Sequence, residues 1–221
     1  MKNEEKKQWM KVLKAINKNY GIHLSSMKKD WKGNKTSSMA TSGFHNNSDY
    51  DREVNDFYAT SPIALEKLLE KETFENVWEC ACGQGHLSEV LKAKGIHGKS
   101  SDLIDRRYGE VLDFLSYGDE WDGDIITNPP YSQATQFVYW ALELVKTGRK
   151  VAMIFPQRYL SSKERYKLFI IHPPKVVYAF SGRVSCAMNG DFTAHSNSAV
   201  DYLWIIWEKG FKGDTILKWI L

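Results

Sequence analysis

Cysteine is scarce, 3 among 221 residues, and an odd, small set does not make a disulfide framework, so the thiols are expected to be reduced. Proline (6) and glycine (15) are too few for a collagen-like chain, and no heptad pattern runs long enough for a coiled coil. No apolar run approaches the ~20 residues that a membrane-spanning helix requires. The opening MKNEEKKQWM is too charged for a secretory signal, and a cytoplasmic protein is expected. What is present is apolar material for a core: 43% hydrophobic and 13% aromatic residues, 8 of them Trp. The length suits one α/β domain with an appendage.

A formal net charge of +3 conceals an asymmetry: residues 1–55 hold 11 Lys/Arg against 6 Asp/Glu, and the remainder holds 19 against 21. The basic part is an arm. Charge alone fits a polyanion partner or a solubilising tail equally. Trp9, Leu13, Ile16 and Tyr20 recur at helical spacing before Gly21, predicting an amphipathic helix over 5–20. Ser/Asn/Lys/Gly-rich sequence from Ser25 to Asn55 predicts a mobile linker, so the division is 1–55 for the arm and 56–221 for the folded domain.

Past Asp56, helices and strands alternate. Helices are predicted from Ser61-Pro62 to about Lys71, over Gly85–Ala93, and from a Ser132 cap to Lys146. Strands are predicted at Asn76–Ala81, Gly98–Asp102, Asp124–Thr127, Val151–Phe155, Val176–Phe180 and Val200–Trp207. Several are unbroken apolar runs, as in sheets buried on both faces, and the alternation argues for a doubly wound, mostly parallel sheet with ligands at the carboxyl ends of its strands.

Three clusters fall at such ends. In Glu79-Cys80-Ala81-Cys82-Gly83-Gln84-Gly85 a strand enters a glycine turn and then a helix, as in cofactor loops, nucleotide-binding folds and plain tight turns. Cys80, Cys82 and His86 lack the second Cys/His pair of a tetrahedral metal site, so no metal is expected. Asp102 ends the next strand about 20 residues on, where a carboxylate accepts from ribose hydroxyls or is a surface turn residue. Asp124-Ile125-Ile126-Thr127-Asn128-Pro129-Pro130-Tyr131 carries the most specific signal. Two prolines after an apolar strand fix a rigid turn. The Asn128 oxygen and the Pro129 carbonyl can both accept from one NH2 group, and Tyr131 offers a face to a flat ring.

With these residues the sequence resembles class I S-adenosylmethionine-dependent methyltransferases of amino groups that carry [DNS]-P-P-[YFW], particularly small phage and prophage-type DNA N6-adenine methyltransferases. The resemblance covers about residues 55–221, with low-specificity support from Arg165-Tyr166, Pro173-Pro174-Lys175 and Trp204–Gly210. It implies a Rossmann-like, seven-stranded sheet and S-adenosylmethionine as cofactor. Asp56-Phe57-Tyr58-Ala59-Thr60-Ser61-Pro62 looks like the segment whose aromatic, threonine and proline wrap the methionine end, here Tyr58, Thr60 and Pro62. The cofactor set implied is completed by Glu79, Ala81, Gly83, Gly85, Asp102, Asp113, Phe114 and Asn128, with Asp113 accepting from adenine and Phe114 stacking on it or serving as core.

Asn128, Pro129, Pro130 and Tyr131 are the implied catalytic turn. The chemistry implied is in-line methyl transfer to an adenine amine of DNA, with the base flipped onto Tyr131 at a cost of a few kcal/mol. Arg158, Lys163, Arg165 and Arg183 belong to a basic, tyrosine-interleaved stretch that reads as a phosphate grip or as a solvated helix face. No insertion is long enough for a target-recognition domain. RNA amines, a protein glutamine amide and non-catalytic cofactor or nucleic-acid binding stand as alternatives.

Overall fold

The computed structural model describes residues 58–182, 184, 186–188 and 200–221. The helix expected at 5–20, the linker expected to Asn55, Asp56-Phe57, Arg183, Ser185 and residues 189–199 lie outside the described residues. In chain order the elements are β1 (Tyr58–Thr60), α1 (Pro62–Leu69), β2 (Val77–Glu79), α2 (His86–Ala93), β3 (His97–Asp102), β4 (Glu110–Val111), β5 (Ile125–Thr127), α3 (Ala134–Leu144), β6 (Lys150–Pro156), α4 (Tyr166–Ile171), β7 (Val176–Phe180), β8 (Cys186–Met188), β9 (Tyr202–Glu208) and β10 (Ile216–Ile220). Among the described residues no helix is long and apolar enough to cross a membrane.

The main sheet runs β10-β7-β9-β6-β5-β2-β3-β4, and β1 pairs separately with β8. Only β9 is antiparallel to its neighbours β6 and β7. Among the described residues the sheet has eight strands where seven were expected. The strands of this sheet missing from the sequence reading are β4, two exposed residues, and β10, an edge strand exposed at every position but Ile220. Neither shows the buried apolar run by which the inner strands announce themselves.

Alternate residues of the inner strands supply two cores. Ile125, Val151, Met153, Phe155, Ile205 and Trp207 pack with Phe137, Val138 and Ala141 of α3. Their neighbours Ile126, Ala152, Ile154, Trp204 and Ile206 pack on the other face with Leu65 and Leu68 of α1 and Leu87 and Leu91 of α2. Burying each such large side chain contributes about 1.5–3 kcal/mol, so the period-2 pattern selects this two-sided arrangement.

Details differ from the expected boundaries. Ser61 occupies the N-cap of α1 without a side-chain cap bond, and Pro62 opens the helix. Ser132 is no cap: Tyr131–Gln133 form a 3-10 turn before α3. That helix stops at Leu144, short of Lys146 and Gly148, because the buried Val145 turns extended and bridges to Trp121. At the opposite end of the sheet Asp124 accepts from the backbone N–H of Lys150 and of Glu75, both at 2.7 Å. This clamp ties the amino ends of β5 and β6 to the approach to β2.

Candidate active site

From β2 the chain steps outward through β3 and β4, then returns to the other side of β2 as β5, with Trp78 in register with Ile125. Such a reversal opens a crevice beyond the carboxyl ends of the two central strands. The glycine turn leaves β2 there and the Asn-Pro-Pro-Tyr turn leaves β5.

Gly83 and Gly85 both have left-handed backbone, φ 55° and 86°, and Gly85 caps α2. The Gly83 N–H donates to Asp102 Oδ2 at 2.8 Å, and the Ile104 N–H donates to Oδ1 at 2.9 Å. Both oxygens of this half-buried carboxylate retain acceptor capacity. Ala81 is partly buried against the core. A side chain at Gly85 would lie 2.4 Å from the ring of Tyr108, whose hydroxyl donates to Glu89 at 2.6 Å. Sequence reasoning missed Tyr108, a loop residue brought there between Arg107 and Gly109, which both have positive φ.

Glu79 is 2% exposed and turned into the α2–β3 interface, where Ser88 donates to its carboxyl. Ser88 and Ser100 are linked at 2.6 Å, and Ser100 and His97 at 2.7 Å. Burial pushes the Glu79 carboxyl up to about 8. The same cause raises the Cys80 thiol and pushes Cys82 up to about 12, so both are held as thiols, the form that is neither nucleophile nor metal ligand. Burial lowers the His86 imidazole. Among the described residues no three His, Cys, Asp or Glu side chains gather as a metal site.

Asn128 follows β5, and its Nδ2 donates to Thr60 Oγ1 at 2.9 Å. Thr60 is 3% exposed and its backbone pairs with Cys186 of β8. Tyr58, placed by its backbone, lies opposite Met188 in the same ladder, and Pro62 begins the helix that follows. Pro129 is buried, and the Pro130 carbonyl accepts from Gln133 at 2.9 Å, closing the turn. Tyr131 is half-buried and touches both cores.

Two of the expected site residues are enclosed by the fold. Phe114 is 2% exposed, edge-on to Trp78 at 5.3 Å and 4.9 Å from Phe137, so its ring is core with no open face for an adenine. The neighbouring Asp113 accepts from Leu115 N–H at 3.0 Å. Arg165 is 7% exposed; its Nε donates to the Tyr159 carbonyl at 2.6 Å and its guanidinium lies 4.2 Å above the Tyr159 ring. It holds the turn after β6 together. Arg158 and Lys163 are exposed, Lys163 in an open groove with Ser161, Ser162 and Tyr166.

No protein-family model matches the sequence, and no curated protein matches it. Similar solved structures exist. A Listeria monocytogenes protein assigned to the class I S-adenosylmethionine-dependent methyltransferases is 15% identical, with a TM-score of 0.49 over 97% of this chain and 83% of that one. The M protein of the type I restriction enzyme EcoKI is 15% identical, with a TM-score of 0.48 over 72% of this chain and 45% of that one. An S-adenosylmethionine-dependent O-methyltransferase from Thermotoga maritima is 14% identical, with a TM-score of 0.45 over 81% and 72%. Likeness at this level carries no chemistry across.

Proposed function

We propose that the chain transfers a methyl group from S-adenosylmethionine to the exocyclic N6 amine of adenine in DNA. The observation that carries this reading is the adjacency of the Gly83–Asp102 unit and the Asn128–Tyr131 turn at the ends of the paired strands β2 and β5. The residues fit the cofactor: Gly83 and Gly85 leave the turn without side chains, and Asp102 is a half-buried acceptor oriented by two backbone donors. Asp102 would hold the ribose hydroxyls, and the 79–85 turn and the Thr60-Ser61-Pro62 corner would flank the rest. When bound, S-adenosylmethionine supplies a methyl group activated on a sulfonium.

The chain's own work is then alignment. Asn128 Oδ1 and the Pro129 carbonyl accept the two N–H bonds of the amine, which turns the nitrogen lone pair outward and stabilises the positive charge that grows there. Prolines at both following positions keep that acceptor pair stiff. Tyr131 supplies the stacking face for a base taken out of the duplex. Arg158 and Lys163, with the basic arm, supply phosphate contacts without a base code, consistent with loose sequence preference.

Incubation with labelled S-adenosylmethionine and DNA, RNA or a release-factor substrate, followed by mass spectrometry of the digests, tests the reading. N6-methyladenine in DNA is expected. Label confined to RNA or to glutamine would move the substrate and keep the turn chemistry, whereas label nowhere would overturn the assignment.

A further inference from the structure

We infer that Thr60 is a positioning residue for Asn128, holding the NH2 arm of its carboxamide and so setting the direction of the oxygen arm; this rests on the methyl-transfer reading above. A carboxamide is planar, with an acceptor oxygen on one arm and a donor NH2 on the other. Only the oxygen can receive an amine's N–H. Turned over, the same side chain would meet that amine donor against donor. The NH2 arm is held: Asn128 Nδ2 donates to Thr60 Oγ1 at 2.9 Å, across 68 residues of sequence. Because the two arms lie in one plane, anchoring Nδ2 at Thr60 also fixes where Oδ1 points.

The anchor is itself stiff. Thr60 is 3% exposed and ends β1, whose ladder with β8 pairs it with Cys186. On its other side, two residues on, Pro62 opens α1 with its ring-locked backbone. Side chains locked on two elements keep a reacting group in place where a loop residue would not. The role differs from the methionine-end contact implied for Thr60 by resemblance, and the two make opposite demands on cofactor affinity.

The test compares the full-length chain with Thr60→Val, Thr60→Ser, Asn128→Asp and the Thr60→Val/Asn128→Asp pair. Thr60→Val keeps the shape and removes the acceptor. It should lower kcat about 10-fold or more while cofactor affinity by calorimetry stays within about two-fold. Thr60→Ser should restore most of the rate. In the Asn128→Asp background, where both arms end in oxygen, Thr60→Val should add less than about two-fold. A rise in cofactor Kd with kcat unchanged, or an equal loss in both backgrounds, overturns the inference.

A second readout needs no turnover. The Asn128 side-chain NH2 resonance, assigned by its disappearance in Asn128→Asp, should exchange with solvent at least about 10-fold faster in Thr60→Val and stay protected in Thr60→Ser. Unchanged exchange in Thr60→Val overturns the inference on its own. If the unmodified chain methylates no substrate, the functional reading fails while this measurement still decides the role of Thr60.

Discussion

The backbone N–H of Gly83 donates to Asp102 Oδ2 at 2.8 Å, joining the turn after β2 to the end of β3. One half-buried carboxylate therefore shapes the glycine turn from the end of β3. Asp102→Ala removes the acceptors assigned to the ribose and the brace on the turn. Cofactor affinity should fall by about 1–3 kcal/mol, roughly 5- to 150-fold, in calorimetry. Unchanged affinity would move the ribose role to another acid.

Gly85 is constrained twice, by φ 86° and by the Tyr108 ring, 2.4 Å from where a Cβ would sit. Gly85→Ala should cost about 1–3 kcal/mol in urea unfolding. In a Tyr108→Ala background the cost should drop, because the steric part vanishes and the dihedral part stays. Equal costs in both backgrounds would show that the ring does not bear on the turn.

The Glu79 carboxyl titrates at about 8 in the fold, against an ordinary value of 4.5, because burial disfavours its charge. Between those values the folded chain keeps a proton that the unfolded chain has lost. Stability should therefore fall as pH rises through that window, by up to about 1.4 kcal/mol per unit, and level off above it. Glu79→Gln should flatten this slope and gain on the parent at about pH 8, measured by urea unfolding at several pH values. A parallel pair of pH profiles would contradict the buried, protonated state.

Arg165 and its exposed neighbours should separate cleanly. Arg165→Ala loses the bond to the Tyr159 carbonyl and the ring contact, and should lower stability by about 1–3 kcal/mol. Arg158→Ala with Lys163→Ala should leave stability alone, weaken DNA binding across sequences and reduce the salt slope by about 2. A DNA-binding loss in a still-folded Arg165→Ala protein would return that residue to the interface.

The central strands and the two turns beyond them were legible because each depends on neighbours in sequence: an apolar run, then glycines or prolines that stop it. The same locality explains why the surroundings of two side chains were not legible. An arginine in a polar stretch reads as solvated, and nothing nearby in sequence shows that Arg165 curls back onto the Tyr159 carbonyl and ring. Phe114 reads equally as stacking face or core until Trp78 and Phe137 are seen around it. Tyr108 reaches Gly85 only through two left-handed residues in its loop, and Thr60 meets Asn128 across 68 positions. Contacts of that kind are made by topology, and no periodicity encodes them.

The most direct measurement of the central claim is methyl transfer by Asn128→Ala beside cofactor binding by the same protein. Losing a transition-state acceptor should cut kcat on a DNA substrate about 10²- to 10³-fold, while cofactor Kd changes little. Full activity in Asn128→Ala on every amine substrate would contradict the account.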